Sequence, residues 1–136
     1  LYPNTQEIVV IFPYHKINGI SPDYLLLQRP DNSWGSVGGK KESRETPSQA
    51  CQRELKEETG LVIKCIPLEF TFFTITDHKL VIGYPFYTQA NGFHITLSHE
   101  HIGFGWFCWE EAKTHIRFQD SLLALSYLEA LLKMEP

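Results

Sequence analysis

Glu54, Glu57 and Glu58 crowd three carboxylates into the segment Arg53-Glu54-Leu55-Lys56-Glu57-Glu58, with Gly38-Gly39 and Glu45 shortly before it. At about 100° per residue, positions 54, 57 and 58 of a helix share one face. Such a face is locally unfavourable: like charges at i, i+4 repel by roughly 0.2–0.5 kcal/mol, and negative charge near a helix C-terminus opposes the macrodipole. A cation is needed to offset it. Hard divalent cations take oxygen ligands, and Mg²⁺ keeps several waters while bridging carboxylates to phosphates. The cluster therefore points to Mg²⁺, with Mn²⁺ as the alternative. Cys51, Cys65 and Cys108 are far apart and form no C-x-x-C, so no soft-metal set competes. Taken without its surroundings, the same cluster reads as a solvated acidic helix face.

The helix that must carry these groups is well specified. Thr46 is placed as N-cap with Gln49 three residues on, a capping box. Pro47 falls at the first helical position, where its missing N–H costs nothing, and Gly60 supplies the stop. Cys51 and Leu55 lie to the side of the carboxylates and dock on a core, while Ala50, near Glu54 and Glu57 on the wheel, keeps the acidic face open. Around this helix, residues 7–12 and 24–28 read as paired strands with Asn18-Gly19 as a turn signal. Residues 69–75 and 80–88 form an aromatic and β-branched pair around Thr76-Asp77-His78-Lys79. Asn91-Gly92 marks a hairpin into a strand at 93–97, and 102–109 completes the strand set. A short helix is predicted at 110–115 and a longer one at 121–133, where Leu122, Leu125, Leu128, Leu131 and Leu132 recur at helical spacing as a core stripe or a homodimer stripe. This order predicts a mixed sheet flanked by helices, an α/β fold.

At 136 residues, 43% hydrophobic and 21% charged, the chain fits one compact domain over residues 1–136. A net charge of −4 excludes a basic field able to grip a nucleic acid polymer. An anionic small molecule would be held by bound cations and by local bases, with Arg29, Lys40 and Lys41 as the candidates. No apolar run approaches the ~18 residues that span a bilayer, and the start lacks the basic-then-apolar pattern of a signal peptide. The chain begins at Leu1 without Met, so a short upstream piece is expected. Three unpatterned cysteines predict reduced thiols and a cytoplasmic setting.

Gly39, five residues, Glu45, seven residues, Arg53-Glu54-Leu55, one residue, Glu57-Glu58, one residue and Gly60-Leu61 resembles the complete Nudix box of the Nudix hydrolase family. Seven fixed residue types, each at a usage of about one in fifteen, coincide by chance on the order of once in 10⁸ windows. The resemblance implies an α/β/α sandwich with the box as loop-helix-loop. It also implies that Glu54, Glu57 and Glu58 bind the divalent cation, with the carbonyl of Gly38 or Gly39 as a further ligand, and that an Arg53–Glu45 ion pair orients helix and loop. The family's reaction is water attack on a phosphorus of a pyrophosphate link joining a nucleoside diphosphate to another moiety.

Outside the box, Glu100 resembles the downstream glutamate that many Nudix hydrolases use as a metal ligand or base, and it stands beside Glu54 as a rival general base. His99 and His101 bracket it without a zinc-site partner set. Trp34, Phe104, Trp106 and Trp109 are faces suited to a nucleobase or pterin ring, although the place of Trp34 just before the box is more often structural. The proline of ADP-ribose hydrolases and the tyrosine of dinucleoside polyphosphate hydrolases, both expected downstream of the box, are not found there. Trp34-Gly35-Ser36-Val37-Gly38-Gly39, Glu100-His101 and the Trp106 strand look similar to the dATP and dihydroneopterin triphosphate pyrophosphohydrolase branch. The resemblance thus implies a nucleoside triphosphate-like substrate cut to monophosphate and pyrophosphate. Dinucleoside polyphosphates or nucleotide sugars are alternatives, as is a non-catalytic nucleotide-binding regulator, which the retained box glutamates disfavour.

Overall fold

Continuous burial along two strands builds the centre of the molecule. In the computed structural model, which describes residues 4–16 and 19–135, β1 (Thr5–His15) and β2 (Asp23–Gln28) are apolar on both faces, as strands covered on two sides must be. Val9, Ile11, Leu25 and Leu27 point to one face and pack with Ala50, Cys51 and Leu55 of α1 (Pro47–Thr59). Val10, Phe12, Tyr24 and Leu26 point to the other, against Ala112 of α2 (Trp109–His115) and Ala124, Leu125, Leu128 and Leu132 of α3 (Gln119–Lys133). The period of two in a strand sorts the residues into these layers, and the result is a sheet sandwiched between helices.

The sheet is mixed. β1 runs parallel to β7 (Lys79–Gln89) from Thr5↔Leu80 to Tyr14↔Gln89. Its other side pairs antiparallel with β4 (Val37–Lys40) and, further along, with β2. β2 also pairs with β3 (Trp34–Gly35) and β8 (Gly103–Phe107). The outer side of β7 carries β5 (Ile66–Pro67) and β6 (Phe72–Thr76).

The helix bearing the acidic cluster is capped as its sequence predicts. Thr46 Oγ1 accepts from the Gln49 N–H at 3.1 Å, Gln49 Oε1 accepts from the Thr46 N–H at 2.9 Å, and Gly60 closes the helix at φ 77° with its N–H on Lys56 O. The leucine stripe of α3 faces the core through Leu125, Leu128 and Leu132.

Three expectations are corrected. Residues 93–97 are not a strand: Thr96 N–H donates to Thr59 O at 2.8 Å and Ser98 N–H to Glu58 O at 3.4 Å, so their donors serve the carbonyls left open at the end of α1. Trp109 opens α2 instead of ending a strand, with the Cys108 N–H held by Glu111 Oε1 at 3.2 Å. Ala50 does not open the acidic face, because it is fully buried in the core under α1. Asn18 of the expected first turn lies outside the described residues.

Candidate functional site

β4 and α1 bring the box residues together, and Arg53 is the hub. Its Nε donates to Glu45 Oε2 at 2.6 Å and its Nη2 to Glu45 Oε1 at 2.8 Å, a two-pronged grip on the loop before the helix. Nη1 reaches Glu54 Oε1 at 2.8 Å and Glu57 Oε2 at 3.3 Å, and Nη2 also donates to the Lys40 carbonyl at 3.0 Å. One guanidinium therefore ties loop, helix and strand. It holds the Glu45 carboxyl down at about 2, helped by the Glu42 N–H at 2.9 Å.

Glu58 is set apart from this network. It is 7% exposed and, among the described residues, has no basic side chain as a direct partner and accepts only the Gly38 N–H, at 2.9 Å. Burial pushes its carboxyl up to about 7; the Gly38 bond opposes the rise, the charges of Glu54 and Glu100 add to it, and Arg29 counters them. Glu54 is also raised, by burial first, against the pull of Arg53. Glu57 is more open, with 57% of its side chain exposed. Glu100 is exposed but close enough for its charge to act on both Glu54 and Glu58. The 96–98 segment docked on the end of α1 is what carries it there. That docking has a sequence signal only in retrospect: Gly60 ends the helix and leaves carbonyls in need of donors.

Gly38 and Gly39 let β4 press between β1 and α1. A Cβ on Gly38 would lie 2.1 Å from the Val9 carbonyl oxygen at a φ of +152°, and one on Gly39 would lie 2.7 Å from the Glu54 carboxylate. Gly39→Ala is expected to keep near wild-type stability, because only the end of a side chain must move. It should nevertheless displace Glu54 and lower any turnover that depends on it by roughly tenfold or more. Gly38→Ala, in contact with backbone, is expected to cost roughly 3 kcal/mol of stability. Thermal melts and initial rates on both variants separate the two effects.

Beside this strand lies a cavity of about 400 Å³ on the α3 side of the sheet. Gly38, Gly39, Lys40 and Arg29 form the border nearest the acidic cluster, and Phe72, Thr74, Phe118 and Asp120 line the rest. The guanidinium of Arg29 stands over the Phe118 ring, 5.5 Å from its centroid. Lys40 is exposed and makes no ion pair among the described residues. Lys41 is committed elsewhere: its side chain is 8% exposed and pairs with Glu7 at 3.1 Å, and Glu7 also accepts from the Tyr84 hydroxyl at 2.7 Å. Trp34 does not line the cavity; it packs edge-on against Phe107 and His115 at 5.1 and 5.9 Å. The cavity residues Phe72, Phe118 and Asp120 come from distant segments and carry no common signal in the sequence.

The donor set on the α1 side is oxygen from carboxylates and backbone, which fits a hard divalent cation and not zinc or copper. Among the described residues no three carboxylate, imidazole or thiol groups close on one point. Among the described residues no helix is long and apolar enough to cross a membrane.

Comparison with known proteins places this geometry in context. The NUDIX domain family model matches residues 7–125. An octanoyltransferase of Myxococcus xanthus is 31% identical over 70% of this chain, and the chain spans 29% of that protein's length. A dihydroneopterin triphosphate diphosphatase of Haemophilus influenzae is 30% identical over 88% of this chain and 82% of its own. Among solved structures, an Ap4A hydrolase of C. elegans in a binary complex superposes with a TM-score of 0.77 at 26% identity, covering 94% of this chain and 98% of the other.

Proposed function

The chain belongs to the Nudix family, and from that premise we propose that it is a divalent-metal-dependent pyrophosphohydrolase of a nucleoside triphosphate-like substrate. The substrate class is an NTP, a dNTP or dihydroneopterin triphosphate, and the products are the monophosphate and pyrophosphate. The observation that carries this reading is Glu58: a buried carboxylate with no cationic side-chain partner among the described residues, flanked by two further acids and bonded to Gly38, whose strand borders the cavity. Isolated buried charge is costly, and a bound cation would offset it.

Glu54, Glu57, Glu58 and Glu100, with the Gly39 carbonyl, would hold Mg²⁺ or Mn²⁺. The ion, when bound, supplies neutralisation of phosphate charge and a lowered pKa for water. The chain's own residues do the rest. Arg53 fixes the Glu54 and Glu57 carboxylates against helix and loop. Arg29 and Lys40, which line the cavity, would meet the phosphates, while the cavity would take the ring. Glu54 and Glu100 remain rival acceptors for the proton of the attacking water. Its oxygen bonds to phosphorus as the bridging P–O bond breaks, and the leaving oxygen departs with pyrophosphate or monophosphate according to which phosphorus is attacked. The chain is read as a single catalytic domain of the cytoplasm.

The Haemophilus relative's name supports the triphosphate reading. The likeness to the C. elegans Ap4A hydrolase keeps a dinucleoside polyphosphate as the second. Incubation with Mg²⁺ and a panel of nucleoside triphosphates, dihydroneopterin triphosphate, dinucleoside polyphosphates and ADP-ribose separates them. Pyrophosphate release from a triphosphate, abolished by EDTA and restored by Mg²⁺, is the expected result. Release of a nucleoside triphosphate from a dinucleoside substrate would favour the second reading, and binding without turnover would leave a regulator.

A further inference from the structure

Among the described residues, β6 pairs with β7 alone and lies at the outer side of the sheet. Its hairpin turns on two residues, Asp77 and His78, at φ 48° and 62°, which makes Thr76↔Lys79 the first hydrogen-bonded pair. Antiparallel ladders alternate between bonded and non-bonded pairs, so Phe72 and Thr74 turn their backbone groups to β7 while Phe73 and Ile75 turn theirs away. The far side of β7 agrees: Leu80, opposite Ile75, gives its N–H to Asn4 O at 3.3 Å, toward β1. The N–H and C=O groups of Phe73 and Ile75 therefore form a free edge among the described residues. Their side chains are 63% and 79% exposed. These lie on the α1 side of the sheet, because Phe72, Thr74 and Thr76 alternate with them and line the cavity on the other side.

Folded chains guard such edges with lysine, proline, a bulge or a covering loop. β6 reads Phe-Phe-Thr-Ile-Thr, without charge or proline, and its register runs unbroken from Phe72↔Gly83 to Thr76↔Lys79. The strand is instead complementary to itself. Turned by a two-fold axis through Thr74, a second copy sets its Ile75 against Phe73 and its Phe73 against Ile75, and all four residues have outward backbone groups. Each pair then exchanges two N–H···O bonds and joins an aromatic to a β-branched side chain, a favourable cross-strand contact. On the cavity side Phe72 meets Thr76 of the second copy. No like charges are brought together on the strand. A slip of one residue would set outward groups against inward ones, so the register is specified.

We propose that β6 is an interaction surface for a second copy of this chain, joined edge to edge in antiparallel register about Thr74 into one continuous sheet. Five residues a side bury less than the roughly 1,200 Å² of a standard interface, so the association is reversible and depends on concentration. The two-fold axis stands perpendicular to the sheet and keeps each face on its own side. Both cavities therefore open on the same face of the joined sheet, with Thr76 of one copy beside Phe72 in the cavity wall of the other.

Sedimentation velocity on the wild type over about a hundredfold range of concentration should show monomer passing to dimer, with a melting temperature that rises in step. Phe73→Glu/Ile75→Glu and Phe73→Lys/Ile75→Lys each set like charges opposite one another and should raise the dissociation constant roughly tenfold or more. An equimolar mixture of the two should associate again, since it sets ammonium against carboxylate. Ile75→Pro removes an outward N–H that β7 does not use, at an edge position that tolerates proline. It should abolish the dimer and leave the circular dichroism spectrum unchanged. Amide exchange locates the contact: the Phe73 and Ile75 N–H groups should slow at dimer concentrations, and that of Thr74, already held by β7, should change least. A dimer that persists in every variant, or charge variants that fail to associate when mixed, would overturn the proposal. Growth beyond a dimer would exclude the two-fold pairing. A wild type that stays monomeric throughout would overturn it as well, and would leave this edge to a strand of another protein.

Discussion

Replacing Glu58 by glutamine is expected to stabilise the metal-free chain at neutral pH while removing most Mg²⁺-dependent turnover. The Glu58 carboxyl is pushed from the ordinary 4.5 up to about 7 in the folded chain, chiefly by burial. Between those two values the folded state binds more protons than the unfolded state, so stability falls as pH rises through this window. The penalty is absent below about 4.5 and complete above about 7. At 1.36 kcal/mol per pH unit it amounts to up to about 3 kcal/mol. Glutamine is neutral, keeps an oxygen for the Gly38 N–H, and escapes the penalty. Denaturant melts in EDTA from pH 5 to 8 should converge for wild type and variant at the acid end and diverge above pH 6. Added Mg²⁺ should raise the wild-type melt more than that of the variant. Glu57→Gln offers the contrast: its side chain is largely exposed, so turnover should fall without the gain in stability. Parallel melts of Glu58→Gln and wild type at every pH would contradict the account.

Loss of the Arg53 guanidinium is the second large effect. It removes five hydrogen bonds shared among Glu45, Glu54, Glu57 and the Lys40 carbonyl, and it leaves three carboxylates facing one another. Truncating one partner of a buried pair costs about 3–5 kcal/mol. Arg53 is a quarter exposed along its side chain, so solvent screening brings the expected cost of Arg53→Ala to roughly 2–3 kcal/mol. Turnover should fall by more than stability explains, because Glu54 loses its orientation. Arg53→Lys should rescue little: an ammonium is a single point of charge and cannot fork onto Glu45 while reaching Glu54. Rates and unfolding free energies for both variants, with and without Mg²⁺, supply the comparison. A lysine variant with wild-type rates would mean that only net charge matters at this position.

The parts of this molecule that were legible in the sequence are those whose chemistry is local. Thr46, Pro47, Gln49 and Gly60 specify the box helix within a few residues of where they act, and all four occupy their expected cap positions. Residues 93–97 show why alternation alone misleads: Ile95 is buried and its neighbours are exposed, yet the backbone donors serve a helix end instead of a ladder. The strand at Val37–Lys40 was illegible for the opposite reason. Two glycines carry no strand propensity, and their pairing depends on Val9, nearly thirty residues away, leaving no room for a Cβ. At the site, the acidic residues announced themselves through an unfavourable local pattern. The cavity wall did not, since Phe72, Phe118 and Asp120 meet only through the tertiary fold. Lys41 looked as available as Lys40 in the sequence; only the structure shows it held by Glu7.

The ten-residue parallel register of β1 with β7 fixes the order in which the molecule can be assembled. Thr5 must wait for Leu80, and every residue of the acidic helix is synthesised in between. Closing so large a loop is entropically costly before its contacts form, and chains dominated by such remote pairings fold slowly for their size. On a ribosome, the capped helix can nucleate from its own signals while β1 still lacks its parallel neighbour. An apolar strand edge therefore stands exposed until the second half of the chain emerges, and crowding or slow translation would act on aggregation at that stage.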